Sequence, residues 1–104
     1  MVQRVILTAD ASVAIKPLIE SAIRSELRML EIGLERTSQR LQYFEERLGL
    51  SSEEFARHFD AGETSDSLDH VEWAGEIKTY RLLEAQKLAL QGIQLSTPAK
   101  PAAG

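Results

Sequence analysis

The sequence predicts a mainly α-helical protein: a long antiparallel helical hairpin with a short helix at the bend and a short N-terminal β-strand. Apolar residues recur at alternating spacings of three and four up to residue 48, and glycines at 49 and 62 mark helix ends. Serines that suit helix N-caps follow each glycine. The 104 residues leave room for one domain, which we place at residues 1–94. Residues 95–104 hold two of the three prolines and are expected to form a flexible tail.

Residues 1–15 are predicted to form an extended arm that contains a strand over Val2–Thr8. A single strand cannot satisfy its own backbone hydrogen-bonding groups. Its expected mate is the stretch 12–15, a second subunit or a partner chain.

A long helix is predicted over residues 17–48, beginning near Pro17. At 1.5 Å per residue it would be about 48 Å long, well beyond the ~26 Å diameter of a compact chain of this size. It must therefore lie along another long helix. Its apolar seam either packs inside the hairpin or joins two copies, and both uses can hold in a dimeric helical bundle. The seam comprises Ile23, Leu27, Leu30, Leu34, Thr37, Leu41, Phe44 and Leu48.

A short helix is predicted over residues 51–61, where Ser51 and Glu54 have the spacing of a capping box. The last helix is predicted over residues 67–94, and it is apolar on two sides. One stripe holds Val71, Leu82, Ala85 and Ala89, with Ala74 and Gly75 beside it, and the other holds Trp73, Ile77, Tyr80 and Leu88. Two apolar stripes indicate two contacts, one to the long helix and one to something else.

Composition excludes several classes of protein. Without cysteine there are no disulfides, no thiolate catalysis and no cysteine-based zinc site, which favours a cytoplasmic location. No apolar run approaches the ~20 residues that span a bilayer, so no membrane association is expected. The N-terminus lacks the order of a signal peptide. The net charge of −4 does not favour nucleic-acid binding by the isolated chain.

Acidic residues concentrate in one segment. Residues 53–76 contain eight acids and one strong base, a charge of −7, which leaves the rest of the chain at +3. Asp66, Asp69, Glu72 and Glu76 would share one helix face next to Trp73, with Glu63 just before them. These acids either form a solvated face favoured by the helix dipole or a surface that binds a basic protein. Trp73 is interpreted as a core residue, as a partner anchor, or as both.

Neither catalysis nor a bound metal or cofactor is expected. Glu72 and Glu76 are spaced like half of a carboxylate metal site, but the seam of the long helix offers no facing acid or histidine. His58 and His70 fall on different predicted elements. The sequence also lacks a phosphate-binding loop, a serine elbow and an HExxH motif.

The run from Phe44 to Glu63 contains Gly-Leu-Ser-Ser-Glu-Glu-Phe and later Phe-Asp-Ala-Gly-Glu, and it continues through Asp66 and Asp69 to Glu72-Trp73-Ala-Gly-Glu76. It resembles a family of small helical prokaryotic antitoxins of type II toxin–antitoxin modules, which accompany TumE-like or other RNase-type toxins. The resemblance covers about residues 30–90. His70 departs from it, because the family often has an aromatic residue there. The resemblance implies a protein that neutralises a cognate basic toxin by binding it.

Two other functions stay open. A dimeric DNA-binding repressor would insert paired N-terminal strands into the major groove, but Arg4 is the only base of that strand. A structural coiled-coil scaffold would need only the seam. In each case a homo-oligomer is expected.

Overall fold

The computed structural model describes residues 3–8 and 14–96, and it confirms the mainly helical class. Two long helices lie antiparallel, a short helix sits at the bend, and a two-stranded sheet lies at the other end. In chain order the elements are β1 (Gln3–Ile6), α1 (Ile15–Leu48), α2 (Ser52–Asp60), α3 (Leu68–Gln91) and β2 (Ile93–Ser96).

Helices α1 and α3 keep one antiparallel register along the hairpin. Arg40 contacts Glu76, Arg47 contacts Asp69, and Gly33 lies against Leu83. In each of these pairs the two residue numbers add to 116, so the register between α1 and α3 is constant over the fifteen residues 33–47 of α1. At Gly33 an added Cβ would come within 3.2 Å of Leu83, which shows how closely the helices approach there.

The seam of α1 is used inside the hairpin. Leu30, Thr37 and Phe44 are buried, and Leu48, at the end of α1, is 38% exposed. Four further seam residues are half-buried: Ile23, Leu27, Leu34 and Leu41. Helix α1 begins at Ile15, two residues before the predicted start, because Pro17 still falls in the first turn, where its missing N–H costs no hydrogen bond.

The chain is a thin rod with a small core. Its extents are 71 × 24 × 17 Å, and its radius of gyration is 20.6 Å, against about 13 Å for a compact chain of this length. The accessible surface is 8031 Å², compared with roughly 5,800 Å² expected for a compact monomer of this mass. Large apolar side chains are among the exposed residues of both long helices, such as Leu18, Met29 and Leu82.

The bend is built by caps and one bridging carboxylate. Gly49 adopts φ +68°, a left-handed conformation that suits a helix C-cap. The Ser51 hydroxyl accepts a hydrogen bond from the Glu54 N–H, as half of the predicted capping box. The carboxylate of Glu45 on α1 accepts from the Ser52 N–H at 2.7 Å. This bond ties the start of α2 to the end of α1. The Ser67 hydroxyl caps α3 in the same way as Ser51 caps α2.

The end of the chain's described part differs from the prediction. Helix α3 stops at Gln91 rather than at residue 94, and Gly92 caps it. Ile93–Ser96 form β2, so the predicted flexible tail does not begin at residue 95. Residues 97–104 lie outside the described residues. The predicted helix is three residues too long at its C-terminus, because the chain leaves the helix at Gly92.

Strand β1 confirms the predicted N-terminal strand over Gln3–Ile6 and corrects its mate. It pairs in parallel with β2, with Gln3 opposite Ile93 and Ile6 opposite Ser96. The expected mates of this strand were the stretch 12–15, a second subunit or a partner chain. Within that stretch Ile15 already belongs to α1, and residues 12 and 13 lie outside the described residues. Since α1 and α3 return the chain to its starting end, the two strands meet without a further connection. Within residues 3–8 and 14–96, no helix is long and apolar enough to cross a bilayer.

Candidate protein-binding surface

Three aromatic rings from three helices form a stack at the bend. Trp73 of α3 lies parallel to Phe55 of α2, with ring centroids 4.1 Å apart and planes at 4°. Phe44 of α1 packs on the indole at 5.9 Å. The indole N–H donates a 2.9 Å hydrogen bond to the Ser52 hydroxyl. The stack fixes α2 against both long helices and gives the bend a defined shape.

Trp73 is therefore a core residue. Its side chain is 1% exposed and makes its one polar contact within the chain. The interpretation of Trp73 as an anchor that inserts into a partner does not fit this structure, because no face of the ring is accessible. Its influence on any binding surface is indirect, through the position of α2.

Two acids of the predicted acidic face contact arginines of α1. The Arg40 guanidinium lies 2.7 Å from the Glu76 carboxylate, and Arg47 lies 3.4 Å from Asp69. A hydrogen bond with the Tyr43 hydroxyl, followed by the Asp69 carboxylate, raises the pKa of Arg47. Arginine is charged throughout the physiological range, so this shift adds no pH sensitivity. These solvent-exposed pairs add little to stability, and they neutralise part of the face.

Asp66 and Glu72 complete the predicted face, and both are exposed. Glu63 contacts the His58 ring at 2.8 Å. Among the residues that the structure describes, Asp66 and Glu72 make no ion pair, and neither does Asp60 of α2. The bend end of the rod keeps a net negative charge, although its face is less acidic than the sequence implied. Sequence reasoning missed this pairing because Arg40 and Arg47 read as part of a solvated helix face.

The histidines and acids do not form a metal centre in the described part of the chain. No group of three or more His, Asp or Glu side chains is arranged to hold an ion there. The Nδ1 atom of His70 lies 3.0 Å from the Ser65 hydroxyl, within hydrogen-bonding distance. The imidazole ring of His70 packs beside Phe55. The expectation that the protein is not an enzyme stays a prediction.

An open groove lies between α2 and α3 at the bend. Buried Phe55, Ala56 and Ile77 are among its lining residues, and Phe59 is 37% exposed. Gly75 leaves the groove open, since a Cβ at this position would meet nothing within 4 Å. We call it the bend groove. Its charged lining residues are Asp60, Lys78 and Arg81.

Of the two apolar stripes predicted on the last helix, the one that contains Val71 and Leu82 is exposed. Trp73 and Ile77 are buried, whereas Val71 and Leu82 are 54% and 57% exposed. We call the exposed row the α3 outer stripe; it comprises Leu68, Val71, Gly75, Lys78, Leu82, Ala85 and Ala89. Because Gly75 and Lys78 also line the bend groove, groove and stripe are continuous.

Comparisons of the chain with protein-family models, with curated proteins and with solved structures found no match. The resemblance to antitoxins therefore rests on the sequence motif alone, and the geometry of the bend is the independent observation that bears on function.

Proposed function

We propose that this protein acts in the cytoplasm as an antitoxin of a type II module, binding and neutralising a cognate basic toxin through its bend. The observation that carries the proposal is the bend groove, an open cleft with a buried apolar floor next to the acidic segment 53–76. Its own charged lining, Asp60, Lys78 and Arg81, has a net charge of +1, so the attraction for a basic toxin comes from the acids around the groove. Support also comes from the motif that resembles antitoxins, which builds this part of the fold.

Two kinds of contact with the toxin supply the binding energy. An apolar side chain of the toxin fills the space over Gly75, against Phe59 and the buried floor. Such anchors, removed from water in a preformed pocket, carry most of the affinity at protein interfaces. The acids of the bend act at longer range, by attracting a basic surface and raising the rate of association.

The alternative of a DNA-binding repressor has less support. Strand β1 carries one base, Arg4, and pairs with β2 of the same chain. A ribbon formed by two copies of β1 would have to use its other edge, with few cations to contact phosphates. The coiled-coil scaffold is weakened because the seam is already covered by α3.

Filling the bend groove is expected to abolish neutralisation without unfolding the protein. In Gly75→Leu the new side chain enters open space, and replacing a helical glycine favours folding by up to about 1 kcal/mol. The readout is growth of cells that co-express the variant with the product of the neighbouring gene, which is expected under this proposal to be a small basic protein. Ala85→Leu is the matched control, on the same stripe about 15 Å away. If both variants rescue growth equally, the toxin docks elsewhere on the protein. If the product of the neighbouring gene does not inhibit growth when it is expressed alone, the antitoxin proposal itself is contradicted.

Removing the unpaired bend acids is expected to slow association with the toxin. The variant Asp60→Asn, Asp66→Asn and Glu72→Gln lowers the negative charge by three with little change in shape. The association rate, measured by surface plasmon resonance, should fall and lose part of its dependence on salt, while dissociation changes little. The control variant replaces Glu20, Glu26 and Glu35 by glutamine. It removes the same amount of charge at positions of α1 that lie more than one Debye length, ~8 Å, from the bend. If both triple variants slow association equally, the bend has no special role in attraction.

A further inference from the structure

A second exposed stripe runs along the first half of α1. Its members follow the same alternating spacing of three and four as the seam, roughly 150° away around the helix at about 100° per residue. Four of them are large and apolar: Ile15, Leu18, Met29 and Ile32 are 37%, 58%, 63% and 50% exposed. We call it the α1 outer stripe; it comprises Ile15, Leu18, Ala22, Ser25, Met29 and Ile32.

The order of side-chain sizes along this stripe is symmetric. Two large residues stand at each end, and Ala22 and Ser25 stand in the middle. When such a helix meets a second copy of itself antiparallel, Ile15 faces Ile32 and Leu18 faces Met29. The two small residues face each other across the axis and let the backbones approach closely. A two-fold interface requires this self-complementarity, since every contact must occur twice.

Charge favours the same arrangement. Residues 15–32 contain three acids and three bases, so two copies of the segment do not repel each other. In an antiparallel pair centred between residues 23 and 24, each bend lies about 24 residues from the two-fold axis. At 1.5 Å per residue the two acidic bends are then roughly 70 Å apart. A parallel pair would bring the bends together, where their like charges disfavour the dimer.

The α3 outer stripe is less suited to pairing with itself. Lys78 stands at its centre, so an antiparallel pair centred on the stripe would bring two lysine ammonium groups together. The α1 outer stripe has no charged member. The chain also exposes about 2,200 Å² more than a compact monomer of its mass, whereas a standard interface covers about 800 Å² per partner.

We propose that the α1 outer stripe is a homodimer interface, occupied by the same stripe of a second copy in antiparallel orientation. The seam from Ile23 to Leu48 is not this interface, because α3 covers it. Each subunit then presents its bend at an opposite end of the dimer. The proposal does not depend on what the bend binds.

The test measures molar mass by sedimentation equilibrium at micromolar concentration. The wild type and Leu82→Glu are expected at twice the chain mass of 11.6 kDa. Met29→Glu is expected at the single-chain mass with unchanged helix content, because the added charge would be buried only in the dimer. A monomeric wild type would overturn the proposal, as would a dimer that Leu82→Glu dissociates and Met29→Glu does not.

Disulfide cross-linking tests the register. The chain has no cysteine, so each bond formed reports an introduced pair. In an oxidised mixture of A22C and S25C chains, the mixed disulfide should predominate, because these positions face each other across the dyad. Disulfides mainly between two A22C chains would indicate a parallel pair and overturn the stated geometry. An L82C chain gives the background from random collision.

Discussion

Trp73→Ala is expected to lower the free energy of unfolding by roughly 3–5 kcal/mol, as large-to-small changes in a core do. The loss is large because the indole lies between Phe44 and Phe55 and is the contact that joins all three helices. Since a chain of this size is stable by about 5–15 kcal/mol in total, the variant loses a substantial part of its stability. Urea unfolding followed by far-ultraviolet circular dichroism gives the measurement.

The conservative control for this experiment is Trp73→Phe. It retains a stacked ring and loses the hydrogen bond to Ser52, worth about 1 kcal/mol. It should therefore recover most of the stability lost in Trp73→Ala. A Trp73→Ala variant as stable as the wild type but unable to bind a partner would revive the interpretation of Trp73 as a surface anchor.

The long helices and the bend could be predicted from the sequence because their signals are local. The spacing of Leu27, Leu30 and Leu34 fixes which side of α1 is apolar, and a helix this long needs a partner of similar length. Gly49 and Ser51 mark the end of one helix and the start of the next. Each signal lies within a few residues of the feature it specifies.

The sheet could be predicted only in part, because its pairing is not local. Gln3 and Ile93 are ninety residues apart, and four-residue strands carry no pattern that names their mate. Gly92 did carry a usable local signal, a helix stop followed by the β-branched Ile93. With that stop recognised, a second short strand next to the first becomes a reasonable expectation.

The state of the acidic face depended on the register between α1 and α3. From the sequence, Asp69 and Glu76 belong to the same row as Asp66 and Glu72. Only the antiparallel pairing shows that two members of the row meet arginines seven residues apart on α1. The bend groove was missed for a similar reason, since it arises where α2 crosses α3. Its one sequence signal was Gly75 within a helix.

Leu30→Asp tests whether the seam stabilises the single chain. Leu30 is 6% exposed on the side of α1 that packs on α3, so aspartate loses apolar contacts and buries a carboxyl group. We expect a loss of at least about 3–5 kcal/mol, the range for truncating a buried leucine, and hence a largely unfolded chain. Leu82→Asp on the exposed α3 outer stripe is the control and should change stability by less than about 1 kcal/mol.

The effect of Leu30→Asp is best measured in a chain that also carries Met29→Glu, because this change is expected to prevent dimerisation through the α1 outer stripe. If the seam packs internally, Leu30→Asp unfolds this variant equally at low and high protein concentration, because no association step is involved. Circular dichroism and sedimentation at two concentrations measure both properties. A Leu30→Asp chain that stays helical and as stable as its parent would show that contacts between α1 and α3 do not hold the hairpin together. The fold would then depend on the aromatic stack at the bend.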